Sequence, residues 1–180
     1  EGEGHLRQIV PLSADLDRVS EELFKLTTNG GDEFCGKVIS SAVHSLQWDR
    51  SKNVYKVIFI AGNEPFTQGD LDYKKACSEA IRAGIIVNTI YCGSFQEGVD
   101  TWWKDGADRA DGSYMNIDQN RQIADVRAPQ DEEILKLNRE LNSTYIAYGS
   151  SGREKKERQE AQDANSASMA NESAVQRAMA

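Results

Sequence analysis

Two short runs constrain this chain more than any other feature: Val54 to Ala61 (VYKVIFIA) and Ile85 to Tyr91 (IIVNTIY). Both are nearly continuous in β-branched, aliphatic and aromatic residues, the pattern of strands buried on both faces rather than one. Between them lie the polar loop GNEPFTQGD and a helix predicted over about 71–83, closed by Gly84 as its C′ residue. A strand, a crossover helix and a second strand make a parallel βαβ unit.

The flanking sequence repeats the alternation. His5 to Leu12 (HLRQIVPL) reads as a short strand, and Ser13 then offers an N-cap. Leu16, Val19, Leu23, Phe24 and Leu26 follow at helical spacing until Asn29-Gly30-Gly31 ends the helix. A second helix carries Phe34, Val38, Ile39, Ala42, Val43 and Leu46 on one face. Further on, 96–107 is predicted helical, 113–117 extended, 130–142 helical and 144–148 extended. The pattern implies an α/β fold: a doubly wound, mainly parallel sheet with helices on both faces. Ligands of such sheets gather at the carboxyl ends of the strands, where strand order reverses. Three loops are thereby singled out, over 29–34, 62–70 and 92–98.

Composition then narrows the function. A formal net charge of −8 over 180 residues argues against nucleic acid or an anionic lipid surface as the main partner, since both require a positive footprint. No apolar run is long enough to span a bilayer, and the opening Glu1-Gly2-Glu3-Gly4 does not read as a signal peptide. Character changes near Gly149. From Ser151 onward there is no aromatic residue, Leu or Ile, while Ala, Glu, Lys, Gln and Arg favour a helix. Residues 1–149 are therefore expected to form the domain, and 150–180 a charged, Ala-rich helical arm.

Catalytic constellations are scarce. His5 and His44 are the two histidines, and neither lies beside a plausible nucleophile; no phosphate loop, G-x-G-x-x-G or G-x-S-x-G occurs. Of the adjacent Trp102 and Trp103, one is expected in the core and one at the edge. Cys35, Cys77 and Cys92 form no C-x-x-C pair and read first as small buried hydrophobes. A Cys77–Cys92 bridge is the alternative, one residue lying in a helix and the other ending the next strand. The strand-end loops hold the remaining candidates. Asp32 and Glu33 precede a helix, and Asn63, Glu64 and Asp70 follow the first buried strand. Such oxygen donors suit magnesium or calcium. They equally suit helix-dipole complementation and turn formation.

Taken in order, NGGDEFCGKVISSAV, KVIFIAGNEPF and CSEAIRAGIIVNTIYCG resemble segments of a von Willebrand factor A-type domain, over about His5 to Tyr148. The resemblance is to a bacterial, often exported branch, in which a segment like LNRELNSTYIAYG precedes a charged helical stretch. It covers roughly the later two-thirds of such a domain, so the first strand and its Asp-x-Ser-x-Ser loop have no counterpart here. The family implies a binding module with a metal-ion-dependent adhesion site fed by three loops. Glu33 falls where the family has a Thr after its Gly-Gly turn. Asn63 falls where it has an Asp after the fourth strand, with Gly62 and Pro65 matching; a shifted alignment places Gly62 there instead. Any magnesium, manganese or calcium site is therefore expected to be partial, drawing on Glu33 and Asn63, with Asp32 and Glu64 nearby.

The resemblance also implies a protein ligand, an extracytoplasmic setting and an open edge on the VYKVIFIA strand, to be closed by a strand-complementing chain, a homo-oligomer, a removed N-terminal piece, strand exchange or rearranged pairing. The expected function is non-enzymatic protein recognition through the strand-end loops. A metal-free scaffold with an assembly role is the alternative. A small-molecule or hydrolase-like domain using Asp32, Glu33 or Glu64 is the third reading, and it has no second catalytic group to partner those carboxylates.

Overall fold

The structure, a computed structural model, describes residues 6–27, 31–51, 53–118 and 127–179. Its backbone separates into two compact units. The first, Glu1–Leu12 with Thr28–Gln122, holds α2 (Cys35–Ser45), β1 (Lys56–Gly62), α3 (Tyr73–Arg82), β2 (Ile85–Tyr91), α4 (Phe95–Asp100), α5 (Trp103–Asp108) and β3 (Tyr114–Asn116). The second, Ser13–Thr27 with Ile123–Ala180, holds α1 (Leu16–Phe24), α6 (Asp131–Ser143), α7 (Gly149–Met169) and α8 (Asn171–Met179).

The first unit is a parallel three-stranded sheet flanked by helices, an α/β fold. Lys56 to Gly62 register against Ile85 to Tyr91, and Thr89 to Tyr91 against Tyr114 to Asn116. Sheet order β1-β2-β3 follows chain order. Two crossovers of one hand, stepping the same way across a sheet, put their helices on the same face. That face carries Ile58, Ile60, Ile85, Val87, Thr89 and Tyr91, and it packs against Cys35, Ile39, Ala76, Cys77, Ala80 and Trp103. The opposite face, expected to carry helices too, shows Phe59 at 61% exposure and Met115 at 40%. Strand order does not reverse among the described strands.

Local chemistry explains the element ends. Asp72 caps α3 by accepting from Lys74 N, and Gly84 takes the left-handed conformation (φ +69°) that closes it. Ser94 and Glu97 form a reciprocal capping box at α4. The helix expected over 96–107 is two helices, because Trp102 sits at φ +72° between them. The strand expected over 5–12 is absent: residues 6–12 form bends and coil, and His5 lies outside the described residues. Pro11 lacks a donor there, and Leu6, Ile9 and Leu12 recur by threes instead of alternating. Residues 144–148 likewise form no strand, with Ile146 and Tyr148 almost fully exposed.

In the second unit, α1 starts at Asp15, which accepts from Arg18 N, and not at Ser13, whose hydroxyl accepts from Asp15 N. The expected apolar face of α1 points out: Leu16 is 73% exposed and Leu23 61%. Its polar side meets the C-terminal helices. Arg158 pairs with Asp15 and Glu21, Arg177 bridges Asp17 and Asp163, and Ser20 donates to the buried Gln162. Within this unit α7 packs with α1, and α8 with α6 and α7.

Candidate functional site at the strand ends

The carboxyl ends of β1 and β2 lie side by side, joined where Cys92 N donates to Gly62 O at 2.7 Å. Glu33, just before α2, reaches this corner. Its Oε2 accepts from Asn63 N at 2.9 Å and from Glu64 N at 3.3 Å. Gln68 Oε1 in turn accepts from Glu33 N at 2.7 Å, while Gln68 Nε2 makes a long 3.5 Å contact with Glu64 Oε2. The Glu33 carboxylate rests directly on Gly62, where any Cβ would collide with it and would lie 2.9 Å from Trp103 Cη2. Glycine at 62 is therefore a requirement of this close approach.

Below the loop lies an aromatic cluster. Phe66, fully buried despite its place in a polar loop, meets Tyr73 and Trp103 edge-on with ring centroids at 5.3 and 4.9 Å. Trp103 is fully buried and donates Nε1–H to Glu64 O at 2.8 Å, whereas Trp102 is half-exposed. The Tyr73 hydroxyl donates to Asp105 Oδ2 at 2.6 Å. Arg109, hydrogen-bonded to the same carboxylate, holds Asp105 below the usual carboxylate range, and burial with Asp105 raises the Tyr73 phenol well above its ordinary value.

The structure brings some of the candidate residues together and not others. Glu33 meets Asn63 and Glu64 through their backbone amides, not their side chains. Asp32, Asn63 and Asp70 are exposed, and Asn29 and Gly30 of the first loop lie outside the described residues. Among the described residues, no three His, Cys, Asp or Glu side chains converge as a cation site. A hard cation wants six or more oxygens, and one Glu33 oxygen is already committed to two N–H donors. As placed, these residues do not fit a magnesium, manganese or calcium ion.

The cysteines are free thiols, so Cys77 and Cys92 are not bridged. Cys77 is buried with Sγ 3.5 Å from Gly106 O, between α3 and α5, whereas Cys92 sits at the strand corner. Burial, reinforced by the Glu33 charge, pushes Cys35 up to about 12; burial also raises Cys77, to about 11. Cys92 rises for the same two reasons as Cys35. Thiols held protonated in this way are poor nucleophiles and poor metal ligands at neutral pH. His44 is exposed on α2, its Nδ1 2.7 Å from Ser40 O. Sequence reasoning missed Gln68 and Phe66. The only available signal was an aromatic residue immediately after Pro65 in an otherwise polar loop.

No protein-family description matches the chain, and no curated protein matches it. Among solved structures it is similar to an aerotolerance-related membrane protein from Bacteroides fragilis NCTC 9343, carrying multiple mutations to serines. Identity is 17% and the TM-score 0.48, over 62% of this chain; the chain spans 66% of that protein, just under two-thirds. No described helix here is long and apolar enough to cross a membrane.

Proposed function

We propose that this chain is a non-enzymatic, von Willebrand factor A-like binding module that recognises a protein partner through the loops at the carboxyl ends of β1 and β2. The observation that carries the reading is the Glu33 clasp: a carboxylate fixing two backbone amides of the β1 loop, above the buried Phe66–Trp103 platform. It holds a polar loop in one conformation, and a preorganised loop loses less entropy on binding. Glu33 acts as a positioning residue, and Asn63, Glu64 and Asp70 present the contact surface. Acid–base work by Glu33 or Glu64 would need a second group to exchange protons with. Their nearest partners are amides, from the backbone and from Gln68. The site is expected to act extracytoplasmically and without a resident cation.

A photo-crosslinking residue in place of Asn63 tests this in native extract. Discrete adducts are expected from Asn63, none from the same probe at Ala83 on the opposite end of the sheet, and their loss in Glu33→Ala. Equal labelling from both ends, or labelling indifferent to Glu33, would sink the proposal.

A further inference from the structure

Among the described strands β1 ends the sheet, and its ladder has a definite parity. Because Gly62 O accepts from Cys92 N, the residues Lys56, Ile58, Ile60 and Gly62 direct their N–H and C=O groups toward β2. Val57, Phe59 and Ala61 must aim theirs the other way. Among the described residues nothing donates to or accepts from those outward groups. The three residues carry no charge, proline or bulge, the usual protections of an open edge. Phe59 adds a ring that is 61% exposed.

We propose that this edge is a dimer interface, occupied by β1 of a second copy of the chain running antiparallel to it. Glu33 figures in both readings, but this one does not rest on the strand-end reading above. Placed on a two-fold axis at Phe59, the two strands oppose Phe59 to the second copy's Phe59 and Val57 to its Ala61. All the outward N–H and C=O groups of both copies are then paired in one continuous six-stranded sheet. The Phe59 rings meet across the axis on the open face, an aromatic cross-strand pair.

Charge complementarity favours this register. Lys56 falls opposite the second copy's Gly62, the glycine on which that copy's Glu33 carboxylate rests. Lys56 and Gly62 share a sheet face, so each ammonium comes up against the other copy's carboxylate, once at each end of the interface. Lys56 Nζ now donates to Ala83 O at an exposed position and is free to swing. A parallel pairing offers no closed two-fold, and a shifted antiparallel pairing loses this charge match.

Sedimentation velocity across a concentration series tests the proposal on the chain and three variants, each checked for an unchanged circular dichroism spectrum. Ala61→Pro deletes an outward donor that the β1–β2 ladder does not use, so the fold tolerates it. It removes two hydrogen bonds per dimer and is expected to weaken dimerisation roughly ten-fold or more. Lys56→Glu should weaken it as well, by a factor that shrinks as salt is added. Phe59→Lys, at an exposed position, sets like charges facing each other on the axis and serves if the proline variant fails to fold. The wild-type chain is expected to show a reversible monomer–dimer equilibrium. A chain that stays monomeric to its solubility limit would overturn the proposal, as would a dimer indifferent to the foldable variants. Exchange-protected Val57, Phe59 and Ala61 amides in the dilute monomer would overturn it too, because the chain would then cover its own edge.

Discussion

Replacing Phe66 with Ala should cost more than any other single truncation in the strand-end loop. The side chain is fully buried and meets Tyr73 and Trp103 in edge-on contacts, with the Gly106 backbone close against its ring. Phe→Ala in a core costs about 3–5 kcal/mol through lost transfer energy and the cavity left behind. The aromatic pairs place this site toward the upper half, at about 4 kcal/mol. With total stabilities of about 5–15 kcal/mol, that is enough to bring a small domain near its unfolding threshold. Phe66→Leu keeps most of the volume and should cost about 1–2 kcal/mol. The assay is urea unfolding followed by tryptophan fluorescence. Trp48, Trp102 and Trp103 all lie in the first unit, so the signal reports that unit alone. A loss below about 1 kcal/mol for Phe66→Ala would refute the reasoning, because it would mean that the ring is not an anchor in that core.

Other consequences can be checked with standard methods. Tyr73→Phe deletes a charge-assisted hydrogen bond to Asp105 and should lower stability by about 1–2 kcal/mol in the same unfolding assay. The pair also sets pH limits. Asp105, lowered by Arg109, contributes above its unfolded value near pH 4 and loses that contribution as pH falls through its folded value. Tyr73, raised by burial, contributes fully below about pH 10 and loses it as pH climbs through its folded value. Thermal melts across pH should therefore fall at both extremes, and the alkaline limb should flatten in Tyr73→Phe. Mass spectrometry after alkylation without reductant should find three modified thiols in the denatured chain, with Cys35 and Cys77 unreactive while it is folded. Gly36→Ala drives a Cβ into the Leu71 carbonyl oxygen where α2 meets the start of α3, and should lower the melting temperature by several degrees.

The parts of the fold that were legible are those where local pattern and tertiary environment agree. Ile85 to Tyr91 is a strand over the residues its β-rich run marks, and Gly84 closes the helix before it as its position suggests. Periodicity does not carry what depends on long-range partners. It made one helix of 96–107, where Trp102 takes a left-handed conformation and splits it. It gave α1 a core-facing apolar stripe, although α1 meets its neighbours through Asp15, Asp17, Ser20 and Glu21 and leaves Leu16 and Leu23 outside. At the candidate site, residue types and loop positions pointed to Glu33 and Asn63. They did not show that the two meet through a backbone amide. An amide donor is invisible in a side-chain inventory, and that difference turns a candidate cation ligand into a loop clasp.

The most direct measurement is amide hydrogen exchange at Asn63 and Glu64 by NMR, with and without magnesium. The clasp predicts slow exchange at both amides in the wild-type chain, fast exchange in Glu33→Ala, and no saturable shift of either resonance when the cation is added. Intrinsic-rate exchange in the wild type would contradict it. So would a saturable magnesium shift at both amides that disappears in Glu33→Ala, since the carboxylate would then serve a metal and not the loop.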